Sequence, residues 1–124
     1  MVEEAIAALN RGDLPAAVKD TTTDFVFDFS RSRSPERGLY GREDIVRLQE
    51  DFGGVWESVR YEAGELIESA DQIVTPITTY NLGRDGIEVQ TRTAWIWRFS
   101  DGLIARVTFF QDREAALAAA GLSR

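Results

Sequence analysis

The stretch from Ile87 to Phe99, IEVQTRTAWIWRF, constrains the fold more than any other part of the chain. Side chains on a strand point alternately to its two faces. The odd positions, Ile87, Val89, Thr91, Thr93, Trp95, Trp97 and Phe99, make an apolar and aromatic face. The even positions, Glu88, Gln90, Arg92, Ala94, Ile96 and Arg98, are polar around an apolar centre at Ala94 and Ile96. Alternation of that kind belongs to a half-buried antiparallel strand. Ser100, Asp101 and Gly102 follow as a tight turn, because Gly tolerates the positive φ such hairpins demand. A second strand and a short Ala-rich helix ending at Gly121 complete a unit on which every other segment packs.

The N-terminal part supplies those other segments. Val2 to Asn10 reads as an amphipathic helix with Val2, Ala5, Ile6 and Leu9 at helical spacing, and further natural residues are expected upstream of it. Gly12 suits its stop, and Asp13 is the expected N-cap of a second short helix through Ala16, Ala17 and Val18. Asp24 to Ser30 reads as a strand with Phe25, Phe27 and Phe29 on one face and Val26 and Asp28 on the other. A polar loop over 30–41 precedes a helix from Arg42 to Phe52, with Ile45, Leu48 and Phe52 on one stripe, ended by Gly53 and Gly54. Val55 to Glu68 is expected as one long strand with a bulge at Gly64. Gln72 to Leu82 is another, in which Pro76 implies an edge position or a bulge, and Gly83 to Gly86 closes the hairpin. Asp112 caps the last helix.

At 124 residues and 44% apolar content the chain is read as one domain, 1–124. Its helices fall to one side of a curved antiparallel sheet, an α+β cone. The concave face encloses a cavity against the N-terminal helices. The convex face calls for water or a partner, and Ala94 and Ile96 among Gln90, Arg92 and Arg98 are expected to form a homodimer core with a polar rim.

Composition narrows the chemistry. A net charge of −7 argues against nucleic acid, whose phosphates need clustered Lys and Arg. No run reaches the length of a membrane span and no signal peptide is visible, so no membrane partner is expected and the cytoplasm is the expected compartment. With no His and no Cys, Ser–His and Cys–His nucleophiles are excluded and the commonest zinc ligands are missing, so neither metal nor cofactor is expected. Any acid–base step must use Asp, Glu, Tyr, Lys or a water.

Five segments carry a resemblance: AIAALNRGDL from Ala5, DFVFDFS from Asp24, GLYGREDI from Gly38, WRFSDGLI from Trp97 and FFQDREAALAAAGL from Phe109. Together they resemble the nuclear transport factor 2-like superfamily, in its SnoaL-like branch, over essentially the whole chain. The resemblance implies the cystatin-like, SnoaL-like α+β barrel described above and often a homodimer. It covers isomerases, cyclases, dehydratases and epoxide hydrolases together with members that only bind ligands, so it does not settle an activity. Laid without gaps on ketosteroid isomerase, a relative whose acid–base chemistry is well understood, the active-site Tyr falls on Ala5, the base Asp on Phe29 and the oxyanion-stabilising Asp on Trp95. All three positions have lost that chemistry. The same alignment directs Phe25, Phe27, Phe29, Thr93, Trp95, Trp97, Val107, Phe109 and Gln111 toward the cavity.

The site residues follow. Trp95 and Trp97 are the principal ligand contacts, unless they fill the interior outright. Asp28 is a general base at the cavity rim or a solvated residue on the outward face. Asp112 resembles the acid–base aspartate of SnoaL-like cyclases, or serves only as a cap. Gln111 suits a hydrogen bond to a ligand carbonyl, and Tyr40 and Tyr80 are donors at the rim. Glu65 is half-buried on the strand face of Val59, Tyr61 and Ala63 unless a bulge at Gly64 turns it outward. Arg31, Arg33, Arg37 and Arg42 recognise an anionic ligand, close over the mouth or face water. A small-molecule-binding domain for a compact apolar ligand is the leading reading. A cyclase or isomerase using Asp28 or Asp112 and an interaction domain using the convex sheet are the alternatives.

Overall fold

The computed structural model describes residues 1–29, 39–45, 47, 56–69 and 71–121. Leu48, Phe52, Arg31, Arg33 and Arg37 lie outside the described residues. The chain runs α1 (Val2–Asn10), α2 (Leu14–Ala17), β1 (Thr21–Asp28), β2 (Leu39–Tyr40) and α3 (helical at residues 42–45 and 47), then β3 (Trp56–Ala63), β4 (Ile67–Ser69), β5 (Gln72–Gly83), β6 (Glu88–Ser100), β7 (Leu103–Phe110) and α4 (Arg113–Ala119). The strands form one sheet in the order β2-β1-β7-β6-β5-β3, with β4 continuing beside β5.

The hairpin at the centre follows from its turn. Asp101 and Gly102 both have positive φ, 53° and 79°, which matches the right-handed twist of the strands on either side. From that turn β6 pairs antiparallel with β7, and β5 pairs with β6 from Gln72↔Arg98 to Leu82↔Glu88. Ala105 has no partner: Arg98 faces Arg106 while Phe99 faces Ile104. This single extra residue reverses the side-chain alternation along β7. Ile104 before it, and Val107 and Phe109 after it, therefore join one apolar interior.

Two pairings depart from the sequence reading. β1 runs parallel to β7, so the sheet is antiparallel except at that seam. The expected strand 55–68 is two strands, because the chain leaves the ladder over residues 64–66. Pro76 explains the break. Its carbonyl accepts from the Gly64 N–H at 2.8 Å, and the N–H a normal residue would present on that same side is missing. Proline thus sits in an inner strand, opposite the gap between β3 and β4, rather than at a sheet edge.

Both faces of β6 are buried at its centre, each for a different reason. On the concave side Trp95 and Trp97 pack with Phe25, Phe27, Ile77, Ile104 and Val107 against Val2, Ala5 and Ile6 of α1. On the convex side Val74, Ala94, Ile96 and Phe110 pack with Ala116, and Leu117 and Ala120 lie at their margin. Ala94 and Ile96 are 0% and 1% exposed in the single chain, so they are not the dimer core expected of them. The chain's own C-terminal helix already covers them.

The free edge of β3 is also managed from within. The Asn10 side chain accepts from the Tyr61 N–H at 2.7 Å and donates to the Tyr61 carbonyl at 2.9 Å. One amide group thereby stands in for a neighbouring strand at that residue.

Candidate functional site

Alternation along β1, β6 and β7 gathers an aromatic set on the concave face. Phe29 and Phe109 stack at 4.2 Å with a 9° angle between rings, and Phe109 meets Trp95 edge-on at 4.4 Å. Phe27 touches Phe25, Phe29 and Phe109, Trp97 lies 5.9 Å from Trp95, and Tyr40 of β2 meets Phe29 at 5.4 Å. The set has a direction. Phe25, Phe27, Trp95, Trp97 and Val107 are buried, whereas Phe29, Tyr40 and Phe109 are half-buried at its outer end, and Gln111, just beyond β7, is also half-buried.

The indole N–H groups are already engaged. Trp95 donates to the Thr93 hydroxyl at 3.1 Å, and that hydroxyl donates to the Ile77 carbonyl at 3.4 Å. Trp97 donates to the buried Thr75 hydroxyl at 3.0 Å. These bonds fix both rings, so what they present to the interior is carbon.

Tyr61 is a member that the sequence reading did not single out. Its ring meets Trp95 edge-on at 5.7 Å, and burial pushes its phenol above the usual 10.0. Its parity with Ala63 on β3 was the available signal. Tyr80, by contrast, carries the Arg60 guanidinium 4.0 Å above its ring.

The three carboxylates named from sequence stand apart from the rings. Asp28 alternates with Phe27 and Phe29, so it leaves β1 on the opposite face. It is neither solvated nor at the rim, being 7% exposed and bound by Arg106 of β7 at 2.6 Å. Asp112 caps α4, accepting from the Ala115 N–H at 2.7 Å. Glu65 lies exposed in the interruption after Gly64, the outward placement that a bulge there entails. Among the described residues no group of three His, Cys, Asp or Glu side chains is placed to hold a metal ion.

Hollows open on the described residues. One of about 450 Å³ runs past Asn10, Val59, Tyr61 and Tyr80. A second, of about 260 Å³, is bounded by Pro76, Ile77, Thr78, Arg92, Thr93, Asp112 and Arg113. Neither is lined by Trp95 or Trp97, beside which the sequence reading expects empty space; Phe109 lies against Trp95 there.

A curved sheet wrapped on an N-terminal helix, with aromatic residues on its concave face, defines a protein of the nuclear transport factor 2-like superfamily. Within it the chain belongs to the SnoaL-like domain family, whose model matches residues 2–107. Solved structures agree in fold. An NTF2-like protein from Burkholderia thailandensis superposes with a TM-score of 0.78 at 23% identity, covering 99% of this chain and 95% of its own. TerC, co-crystallised with polyporic acid, gives 0.78 at 18% identity over 98% and 93%. A Mycobacterium tuberculosis protein in complex with estradiol-17β-hemisuccinate gives 0.73 at 15% over 87% and 88%. No curated protein matches the sequence. Among the described residues no helix is long and apolar enough to cross a membrane.

Proposed function

We propose that the chain is a small-molecule-binding SnoaL-like domain whose ligand is a compact, largely apolar organic molecule. The observation that carries this reading is the graded aromatic set, buried at Trp95 and Trp97 and half-open at Phe29, Tyr40 and Phe109. Rings packed out to the margin of the interior leave outer edges and faces available to a ligand, and aromatic walls with few polar groups are how small-molecule pockets are built. In this reading Phe29, Tyr40, Phe109 and Gln111 touch the ligand, and Thr93, Trp95, Trp97 and Val107 form the floor behind them. With both indole N–H groups engaged, recognition falls to ring faces and edges, worth about 0.5–1.5 kcal/mol per aromatic pair beyond the area buried. That favours a planar unsaturated ligand.

Support also comes from similarly folded proteins seen with polyporic acid and with estradiol-17β-hemisuccinate. Catalysis by Asp28 or Asp112 is the weaker reading, because one carboxylate is ion-paired on the other face of the sheet and the other caps a helix. The test is a titration of tryptophan emission with small aromatic ketones and quinones, paired with native mass spectrometry of the purified protein. A saturable emission change with at least one compound, lost in Phe109→Ala while the circular dichroism spectrum is kept, is the expected result. Emission indifferent to the whole panel, with no bound mass, would remove the binding reading.

A further inference from the structure

We infer that the hollow between β5, β6 and the start of α4 is a second binding site, for a small carboxylate carrying a short apolar body. It arises because β7 ends at Phe110, opposite Ala94, so Arg92 and Thr93 of β6 have no β7 neighbour. The chain then turns through Asp112 into α4, which brings Arg113 to the other side of the gap. Pro76 and Thr78, on the same sheet face as Arg92, supply an apolar ring and a hydroxyl group, and Ile77 and Thr93 complete the lining.

The charges point to the ligand class. Arg11, Arg60, Arg84 and Arg106 each have a carboxylate partner. Arg92 and Arg113 have none among the described residues, in a chain with 21 acidic residues against 14 basic ones. Two arginines without a carboxylate partner line one hollow, and the planar fork of a guanidinium matches the two oxygens of a carboxylate. Asp112 also lines it, but its Oδ1 is spent on the Ala115 N–H, and the two arginines outnumber it. The volume of about 260 Å³ is below the range of drug-sized pockets, so the guest is a molecule of few carbons. An inorganic anion would leave Pro76 without a contact. Thr93 belongs to this hollow and also accepts from the Trp95 indole, so occupancy has a built-in reporter.

The experiment is an amide and indole N–H NMR titration with 3-methylbutyrate, with its neutral amide and inorganic phosphate as comparison ligands. Saturable shifts at Thr78, Thr93, Arg113 and the Trp95 indole N–H are expected with 3-methylbutyrate. The neutral amide and phosphate should both bind at least about tenfold more weakly. Arg92→Gln with Arg113→Gln should weaken the carboxylate by a similar factor, both positions being exposed and free of packing duties. Arg98→Gln, on the same strand outside the hollow, should leave it unchanged. Equal binding of the neutral amide or of phosphate, full binding in the double variant, or no saturable shift would each overturn the assignment. Shifts at Thr78 and Arg113 mark this hollow alone, whereas a ligand held in the aromatic interior moves the Trp95 indole without them.

Discussion

Arg106→Met and Asp28→Asn remove the two halves of one ion pair, and the structure makes their costs unequal. The Asp28 side chain is 9% exposed and that of Arg106 is 38% exposed, with 2.6 Å between their atoms. Unit charges about 4 Å apart attract by about 4 kcal/mol at an effective dielectric constant of about 20, most of which offsets desolvation. Arg106→Met takes the guanidinium away from a buried carboxylate, which costs about 3 kcal/mol, the low end for a broken buried pair because the arginine side was partly wet. Asp28→Asn keeps the shape and an acceptor, and the arginine still reaches water. Its cost is the difference between a charged and a neutral hydrogen bond, about 1 kcal/mol, plus a few tenths of a kcal/mol because Arg106 faces Arg98 across the ladder. Urea unfolding should therefore place Arg106→Met below Asp28→Asn by about 1.5 kcal/mol, with unchanged slope. Equal losses, or a larger one for Asp28→Asn, would refute the argument that burial of the carboxylate dominates.

Ile77→Ala, at a position 1% exposed on the concave face with Trp95 and Trp97, should cost about 2–5 kcal/mol in the same assay. Asn10→Leu deletes both hydrogen bonds to the Tyr61 backbone. It should speed exchange of the Tyr61 amide proton and cost about 1–2 kcal/mol, whereas Asn10→Asp, which keeps the acceptor, should preserve more of the protection. The raised Tyr61 phenol gives a signed pH effect. The folded state holds this proton more tightly than the unfolded chain, so stability is complete below pH 10.0 and falls as pH rises beyond it. Tyr61→Phe should flatten that alkaline loss in urea midpoints measured across the range, and an unchanged slope would count against it. Asp112→Ala should cost about 1 kcal/mol and increase binding of a hydrophobic dye, as α4 frays from Ala94 and Ile96.

Much of this was legible one strand at a time. Alternation from Ile87 to Phe99 sorted Trp95 and Trp97 from Ala94 and Ile96 correctly, and Asp13, Gly12 and Asp112 sit at the helix ends where their chemistry puts them. Pairing between strands was less legible, because hydrophobic pattern carries no information about direction; the parallel seam between β1 and β7 and the two-residue strand β2 both depend on partners far along the chain. Ala94 and Ile96 show the same limit. Their apolar pattern demanded a cover, and the sequence reading sought it in a second copy although Ala116, Leu117 and Ala120 supply one nearby. Tyr61 went unnamed for a related reason, since its place beside Trp95 depends on β3 and β6 both lying against β5.

The unpartnered residue at Ala105 lets β7 carry one residue more than the β6 segment it faces while every paired side chain keeps its face. Val107 and Phe109 could drift among apolar side chains of similar size with modest effect. Losing Ala105 itself would close the ladder, because Arg106 would follow Ile104 with Arg98 and Phe99 still opposite them, leaving Arg106 outside and Val107 and Phe109 among the rings. Relatives that share this aromatic interior should therefore include chains with and without this one residue.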